Sequence, residues 1–128
     1  MPIQIQWGDP QKASIQMTFI SAFDLTEWYE AVSKTCIMLN LVRHPVNIIL
    51  DMSYFDTLPM EFVDALNSSK PRYHDNQNAQ IAVVQHSLMM PMQTLLNDTD
   101  MFRGTSVVSS LIEAYQMPNK MREFAKVS

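Results

Sequence analysis

The chain has 128 residues, a formal charge of −4 and 47% hydrophobic residues. This length is near the mode for one domain, so we expect a single domain over residues 1–128 with a core of its own. The acidic balance and the lack of a basic stripe argue against nucleic acid as a partner. No apolar run approaches the ~20 residues of a membrane span, and the start of the chain lacks a signal-peptide pattern. We therefore expect a cytoplasmic protein.

Two short segments with alternating side chains open the chain. Residues 3–7 and 14–20 place apolar residues at every second position, which is typical of strands with one face toward water. Gly8-Asp9-Pro10 between them predicts a turn. The two strands should therefore form a hairpin.

The clearest helix is predicted over residues 25–40. Asp24-Leu25-Thr26-Glu27 has the pattern of a capping box at a helix N-terminus. The apolar residues that follow recur at helical spacing, and they are Leu25, Trp28, Tyr29, Val32, Cys36 and Leu39. Cys36 is the only cysteine, which excludes an internal disulfide, and we expect it to be a buried, inert thiol.

The rest of the chain alternates strands with helices. Val46 to Met52 is almost continuously apolar, which indicates a central strand covered on both faces. The later elements are predicted as a helix opened by Pro59, a polar loop over 67–77, a strand over 79–84, a helix over 87–97 with Pro91 in its first turn, a strand over 105–108, and a helix that Ser110 opens and Pro118 divides.

The predicted order is β-β-α-β-α-β-α-β-α. Strands that alternate with helices form crossover units with parallel pairing, and the opening hairpin adds an antiparallel strand. The sequence therefore predicts an α/β domain with a mixed, mostly parallel sheet of about five strands and helices packed on it.

The strongest candidate for a functional site is the segment after the central strand, from Asp51 to Thr57. It combines two carboxylates, Asp51 and Asp56, with the hydroxyl groups of Ser53, Tyr54 and Thr57. Sites in open α/β sheets form at the carboxyl ends of strands, and a helix N-terminus can hold an anion. The simpler alternative is that Asp56 or Thr57 only caps the following helix.

Catalysis is not predicted at this segment. An aspartyl phosphotransfer site needs a second carboxylate two residues after Asp51 to hold magnesium, and Ser53 stands there. The chain has only two glycines, so a nucleophile elbow and a Gly-rich phosphate loop are both missing. Its three histidines lack ligand spacing. We therefore expect no enzyme activity, no cofactor and no bound metal.

An apolar groove beside this segment is a second possibility. Tyr54 and Phe55 follow one predicted strand, while Met89, Met90 and Met92 follow the next. Methionine and aromatic side chains suit an adaptable binding surface, and parallel strands end at the same edge of a sheet. Plain packing in the core is the alternative for these residues.

Three strings carry a resemblance to a known family. Ile48 to Ser53 is similar to a strand end of the form hhhDhS, where h is hydrophobic, Ile81 to Val84 resembles the next strand, and Val108 to Tyr115 resembles a terminal hxSLEEAh signature. Together they resemble the STAS domain family of anti-sigma-factor antagonists, in particular its SpoIIAA-like and CRAL-TRIO-like bacterial members.

The resemblance implies a non-catalytic regulatory module that binds a protein partner, such as an anti-sigma-factor-like kinase. In that branch of the family, a Ser or Thr at the start of the helix after the hhhDhS strand is phosphorylated by the partner. Asp56-Thr57 matches that position here, so Thr57 would be the acceptor. The glycine that normally follows the acceptor is replaced by Leu58-Pro59. The CRAL-TRIO-like members imply a small apolar ligand or lipid instead.

Self-association is also predicted. The opening hairpin leaves a strand edge to be protected, and the helix around Met90 offers apolar surface. We therefore expect a homodimer.

Overall fold

The computed structural model describes residues 2–57, 76–97 and 105–116. Its five strands are β1 (Ile3–Trp7), β2 (Ser14–Phe19), β3 (Val46–Asp51), β4 (Gln77–Val83) and β5 (Ser106–Val108). They form one sheet in the order β1-β2-β3-β4-β5. β1 is antiparallel to β2, and the other three pairs are parallel. The predicted α/β class, with a mixed and mostly parallel sheet, is confirmed.

Helices cover both faces of this sheet. They are α1 (Leu25–Asn40), α2 (Met89–Asn97), which follows a short 3₁₀ helix at His86–Leu88, and α3 over residues 111–116. The larger hydrophobic cluster lies between one face of the strands β1, β2, β3 and β4 and the helices α1 and α2. The smaller cluster joins the other face of β3, β4 and β5 with α3. Apolar contact on both faces explains why all six residues of β3 are buried.

The bounds predicted for α1 are confirmed, and so is its capping box. The Glu27 amide donates to the Asp24 carboxylate at 2.8 Å, and the Asp24 amide donates to Glu27 at 3.1 Å. Its buried face is rotated from the predicted one, because Tyr29 is exposed and Thr35 is buried. Thr35 tolerates burial since its hydroxyl donates to the Ala31 carbonyl at 2.8 Å.

Cys36 is half-buried rather than fully buried. Partial burial disfavours the thiolate and raises the pKa of the Cys36 thiol. A raised pKa lowers the fraction of the reactive thiolate, and the inertness of this thiol stays a prediction.

β4 begins two residues before its predicted start. A register shift lies between Val46 and Ile48, where β3 pairs with β4. There the Asn47 side chain accepts hydrogen bonds from the Asn78 side chain at 3.1 Å and the Ala79 amide at 3.3 Å. These bonds allow the polar residues 77–78 to join a strand that hydrophobic alternation alone would begin at Ala79.

α2 begins at Met89, and Pro91 lies in its first turn as predicted. Three further predictions fall outside the described residues: the helix opened by Pro59, most of the polar loop over 67–77, and the division of the last helix at Pro118.

Candidate functional site

The loop over residues 52–57 follows β3 at the carboxyl end of the sheet. Asp51, the last residue of β3, is 3% exposed. One oxygen of its carboxylate, Oδ1, accepts hydrogen bonds from the Ser53 amide at 3.1 Å and from the Ser53 hydroxyl at 2.6 Å. This arrangement is an Asx turn, in which an aspartate side chain folds the chain just after itself. Asp51 therefore shapes the loop.

Two more hydrogen bonds fix the same loop. The Gln85 side chain, which follows β4, donates to the Ser53 carbonyl at 3.2 Å. The Phe55 amide donates to the Met52 carbonyl at 3.1 Å, and the Phe55 ring packs partly buried against the larger hydrophobic cluster. The loop is thus attached to the neighbouring strand and to the core, which reduces the entropy lost when it binds something.

The exposed part of the loop consists of Tyr54, Asp56 and Thr57. The Tyr54 side chain is 65% exposed although the backbone on both sides of it is held in place. Asp56 and Thr57 are exposed next to it. Whether either of them caps a helix depends on residues outside the described part of the chain. The structure therefore brings the predicted loop residues together, with the Asp51 side chain buried and the Tyr54 side chain exposed.

The predicted apolar groove is not assembled as one open surface. Met92 is 0% exposed and belongs to the larger hydrophobic cluster, and Phe55 and Met89 pack against that cluster. Met90 is 83% exposed. A fully buried side chain cannot line an open groove. Met92 therefore packs in the core, which was the alternative interpretation of these residues.

A second group of polar residues lies after β5, at the same edge of the sheet. The Ser110 hydroxyl accepts from the Glu113 amide at 3.2 Å, and the Ser109 and Ser110 hydroxyls donate to the Glu113 carboxylate at 3.1 and 3.3 Å. These contacts cap the start of α3 as the sequence predicts.

Sequence reasoning missed Gln85 and the contacts of Tyr115. Gln85 could have been found, since it is a polar residue directly after a strand that ends at the same edge. Tyr115 on α3 donates from its hydroxyl to the Gln16 side chain at 2.7 Å. A Cβ atom at Gly8 would collide with the same ring, so only glycine permits this close approach. Partial burial, with help from the charges of Asp9 and Asp51, raises the pKa of the Tyr115 phenol.

Among residues 2–57, 76–97 and 105–116, no three His, Cys, Asp or Glu side chains lie close enough together to hold a metal ion. Within the same ranges, no helix is both long and apolar enough to cross a membrane. Comparison of the chain with known protein families, curated proteins and solved structures found no match. The resemblance to the STAS family therefore stays a prediction.

Proposed function

We propose that this protein is a non-catalytic regulatory module of the anti-sigma-factor-antagonist type, and that it binds a protein partner through the loop over residues 52–57. The observation that carries the proposal is the exposure of Tyr54 on a loop whose backbone is fixed by Asp51 and Gln85. Exposed aromatic residues in pre-ordered positions are the residues that most often dominate protein–protein binding.

The bonding of Asp51 supports binding over catalysis. A nucleophilic or metal-binding carboxylate has to reach a ligand, whereas Asp51 is buried and its Oδ1 is engaged by Ser53. The hydrogen bonds of Asp51 to Ser53 account for the burial of this carboxylate through its structural role in the loop, and no catalytic role is needed. A binder of small apolar ligands is the weaker alternative, because Met92 lies in the core.

The first test compares Tyr54→Ala with Tyr29→Ala, which removes an exposed ring from α1 instead. Proteins captured by each variant from a lysate of the native cell would be quantified by mass spectrometry. We expect one stoichiometric partner to bind wild type and Tyr29→Ala, and its affinity for Tyr54→Ala to fall about 30-fold, as for an interface residue worth about 2 kcal/mol. Equal capture by all three proteins would rule out the proposed surface.

The second test concerns control by phosphorylation at Thr57. A phosphate adds about −1.5 to −2 charges beside Asp56 and would change the surface that a partner meets. Thr57→Glu should weaken binding while the free energy of unfolding stays within roughly 1 kcal/mol of wild type, because Thr57 is exposed. Thr57→Ala, which adds no charge, should bind like wild type. The same affinity for both variants would remove Thr57 from the proposal and leave Tyr54 in it.

A further inference from the structure

β1 lies at one end of the strand order, and within the described residues it pairs only with β2. The Pro2 carbonyl accepts from the Ile20 amide at 2.7 Å, and the Gly8 amide donates to the Ser14 carbonyl at 2.8 Å. Because backbone groups in an antiparallel pair face the neighbouring strand at every second residue, the even-numbered residues of β1 face β2. The backbone groups of Ile3, Ile5 and Trp7 therefore face away from the sheet.

The residues of β1 themselves carry none of the usual protection of an edge against another strand. Natural edge strands carry charged side chains, prolines or bulges that prevent pairing with a second chain. The five residues of β1 include no charge and no proline, and their register with β2 is regular. The sequence and geometry of β1 are therefore compatible with pairing to an additional strand.

The sequence of β1 is complementary to itself in the antiparallel direction. With a two-fold axis at Ile5, Ile5 lies opposite Ile5 of a second copy, and Ile3 lies opposite Trp7. The outward-facing backbone groups then meet as hydrogen-bonded pairs. Gln4 lies opposite Gln6 on the other face, where both side chains are exposed. Apolar residues meet apolar ones and amides meet amides, as a symmetric interface requires.

Charges on α1 fit the same arrangement. α1 packs over β1, and a groove of about 50 Å³ between them is bordered by Ile3 and Ile5 below and by Glu30 and Lys34 above. The two-fold axis would place the α1 helices of two copies side by side and antiparallel. Glu30 of each copy then approaches Lys34 of the other, so opposite charges meet twice.

We propose that two copies of this chain associate through β1, in antiparallel register centred on Ile5, and form one continuous sheet with the two α1 helices side by side. This interface lies apart from the loop over residues 52–57 and does not depend on the proposed function. It also differs from a dimer formed through the exposed Met90 of α2.

The test is sedimentation equilibrium of the full chain over a range of concentrations. Wild type should show a monomer–dimer equilibrium. The double variant Gln4→Lys/Gln6→Lys places like charges opposite each other twice, and we expect the dimer dissociation constant to rise about tenfold. Gln4→Glu/Gln6→Lys places opposite charges there and should restore dimerisation to at least the wild-type level.

The control is Met90→Lys/Thr94→Lys, which adds the same charge at exposed positions of α2. It should dimerise like wild type. Circular dichroism melting would verify that each variant is folded. A wild-type protein that is monomeric at every concentration would overturn the proposal. So would a dimer weakened by the α2 variant and unaffected by Gln4→Lys/Gln6→Lys.

Amide hydrogen exchange of the wild-type protein tests the same interface without substitution. The outward-facing amides of Ile3, Ile5 and Trp7 should exchange more slowly as protein concentration rises, because dimerisation gives them acceptors. Exchange of these amides that is independent of concentration while the protein dimerises would place the interface elsewhere.

Discussion

Tyr115 connects α3 to the opening hairpin. Its ring packs against Gly8 and its hydroxyl donates to Gln16, although Gln16 and Tyr115 are 99 residues apart in the chain. Gln16 in turn donates to the Thr18 hydroxyl at 3.0 Å. These contacts lie beside the smaller hydrophobic cluster, against which the Tyr115 ring also packs. A hydrogen bond and a close approach to a glycine therefore add to apolar packing at this position.

We predict that this contact is lost at high pH. The pKa of Tyr115 is raised in the folded protein, whereas an unfolded tyrosine has a pKa of about 10. Its contribution to stability is therefore fully present below pH of about 10 and disappears as the pH rises through the folded-state pKa. Tyr115→Phe should lower the free energy of unfolding by about 1 kcal/mol at pH 7.

Urea denaturation from pH 7 to pH 11 measures this effect. The difference in stability between wild type and Tyr115→Phe should shrink above pH of about 10. Tyr54→Phe serves as the control at pH 7, because the exposed Tyr54 ring should lose its hydroxyl with little change in stability. A difference between wild type and Tyr115→Phe that is constant across this pH range would contradict the prediction.

At the scale of elements, the C-terminal end of α1 is completed by a residue from a distant segment. The Asn76 side chain donates to the Leu39 carbonyl at 2.8 Å and to the Val42 carbonyl at 3.2 Å. The last carbonyls of a helix have no partner within the helix. Asn76, the residue just before β4, supplies a hydrogen-bond donor to carbonyls at this end. It therefore joins the end of α1 to the start of β4.

We predict that Asn76→Ala destabilises the protein by about 1–3 kcal/mol, because the Val42 and Leu39 carbonyls lose the Asn76 donor and Leu39 keeps the longer bond from the Val42 amide at 3.4 Å. Asn76→Asp is the matched variant. It keeps the shape of the side chain, replaces the donor by an acceptor and brings a negative charge toward the two carbonyls, so it should be at least as harmful. Chemical denaturation measures both. Wild-type stability in Asn76→Asp would show that the amide donor is unimportant.

Local patterns account for the elements that were predicted well. The capping box and the helical spacing gave the bounds of α1, and the apolar run gave the central position of β3. The start of β4, the role of Asn76 and the contact of Tyr115 depend on side-chain hydrogen bonds between segments more than 30 residues apart. Such bonds have no periodicity in one sequence, so they could not be predicted.

In the candidate site, too, some features could be predicted from the sequence and others could not. The sequence placed Asp51 and Tyr54 at the end of the central strand, because strand order and polarity are local signals. It could not tell that Ser53 engages the Asp51 carboxylate, or that Met92 is part of the core while Met90 is exposed. The burial of Met92 and the exposure of Met90 depend on how α2 is rotated against the sheet, and Pro91 between the two methionines obscures the helical pattern there.

At the scale of the whole molecule, stability should be highest in the middle of the sheet. β3 is paired on both sides and buried on both faces, whereas β1 and β5 each pair on one side within the described residues. Backbone amides in such central strands exchange only when the whole domain unfolds.

Amide hydrogen exchange at low protein concentration, where the monomer prevails, should therefore show the slowest rates in Val46–Asp51. Rates in Ile3–Trp7 and Ser106–Val108 should be faster, because the outward-facing amides of β1 have no strand partner among the described residues and the paired edge amides open locally. Equal protection of β1 and β3 in the monomer would contradict this order.

The contact between Tyr115 and Gln16 also has a consequence for the order of folding. β1 with β2, and β2 with β3 through α1, join segments that are close in sequence and close small loops. The Tyr115 contact closes a loop of 99 residues, which carries the larger entropic cost. We expect it to form after the sheet is assembled. Its loss in Tyr115→Phe should then accelerate unfolding and leave the folding rate nearly unchanged.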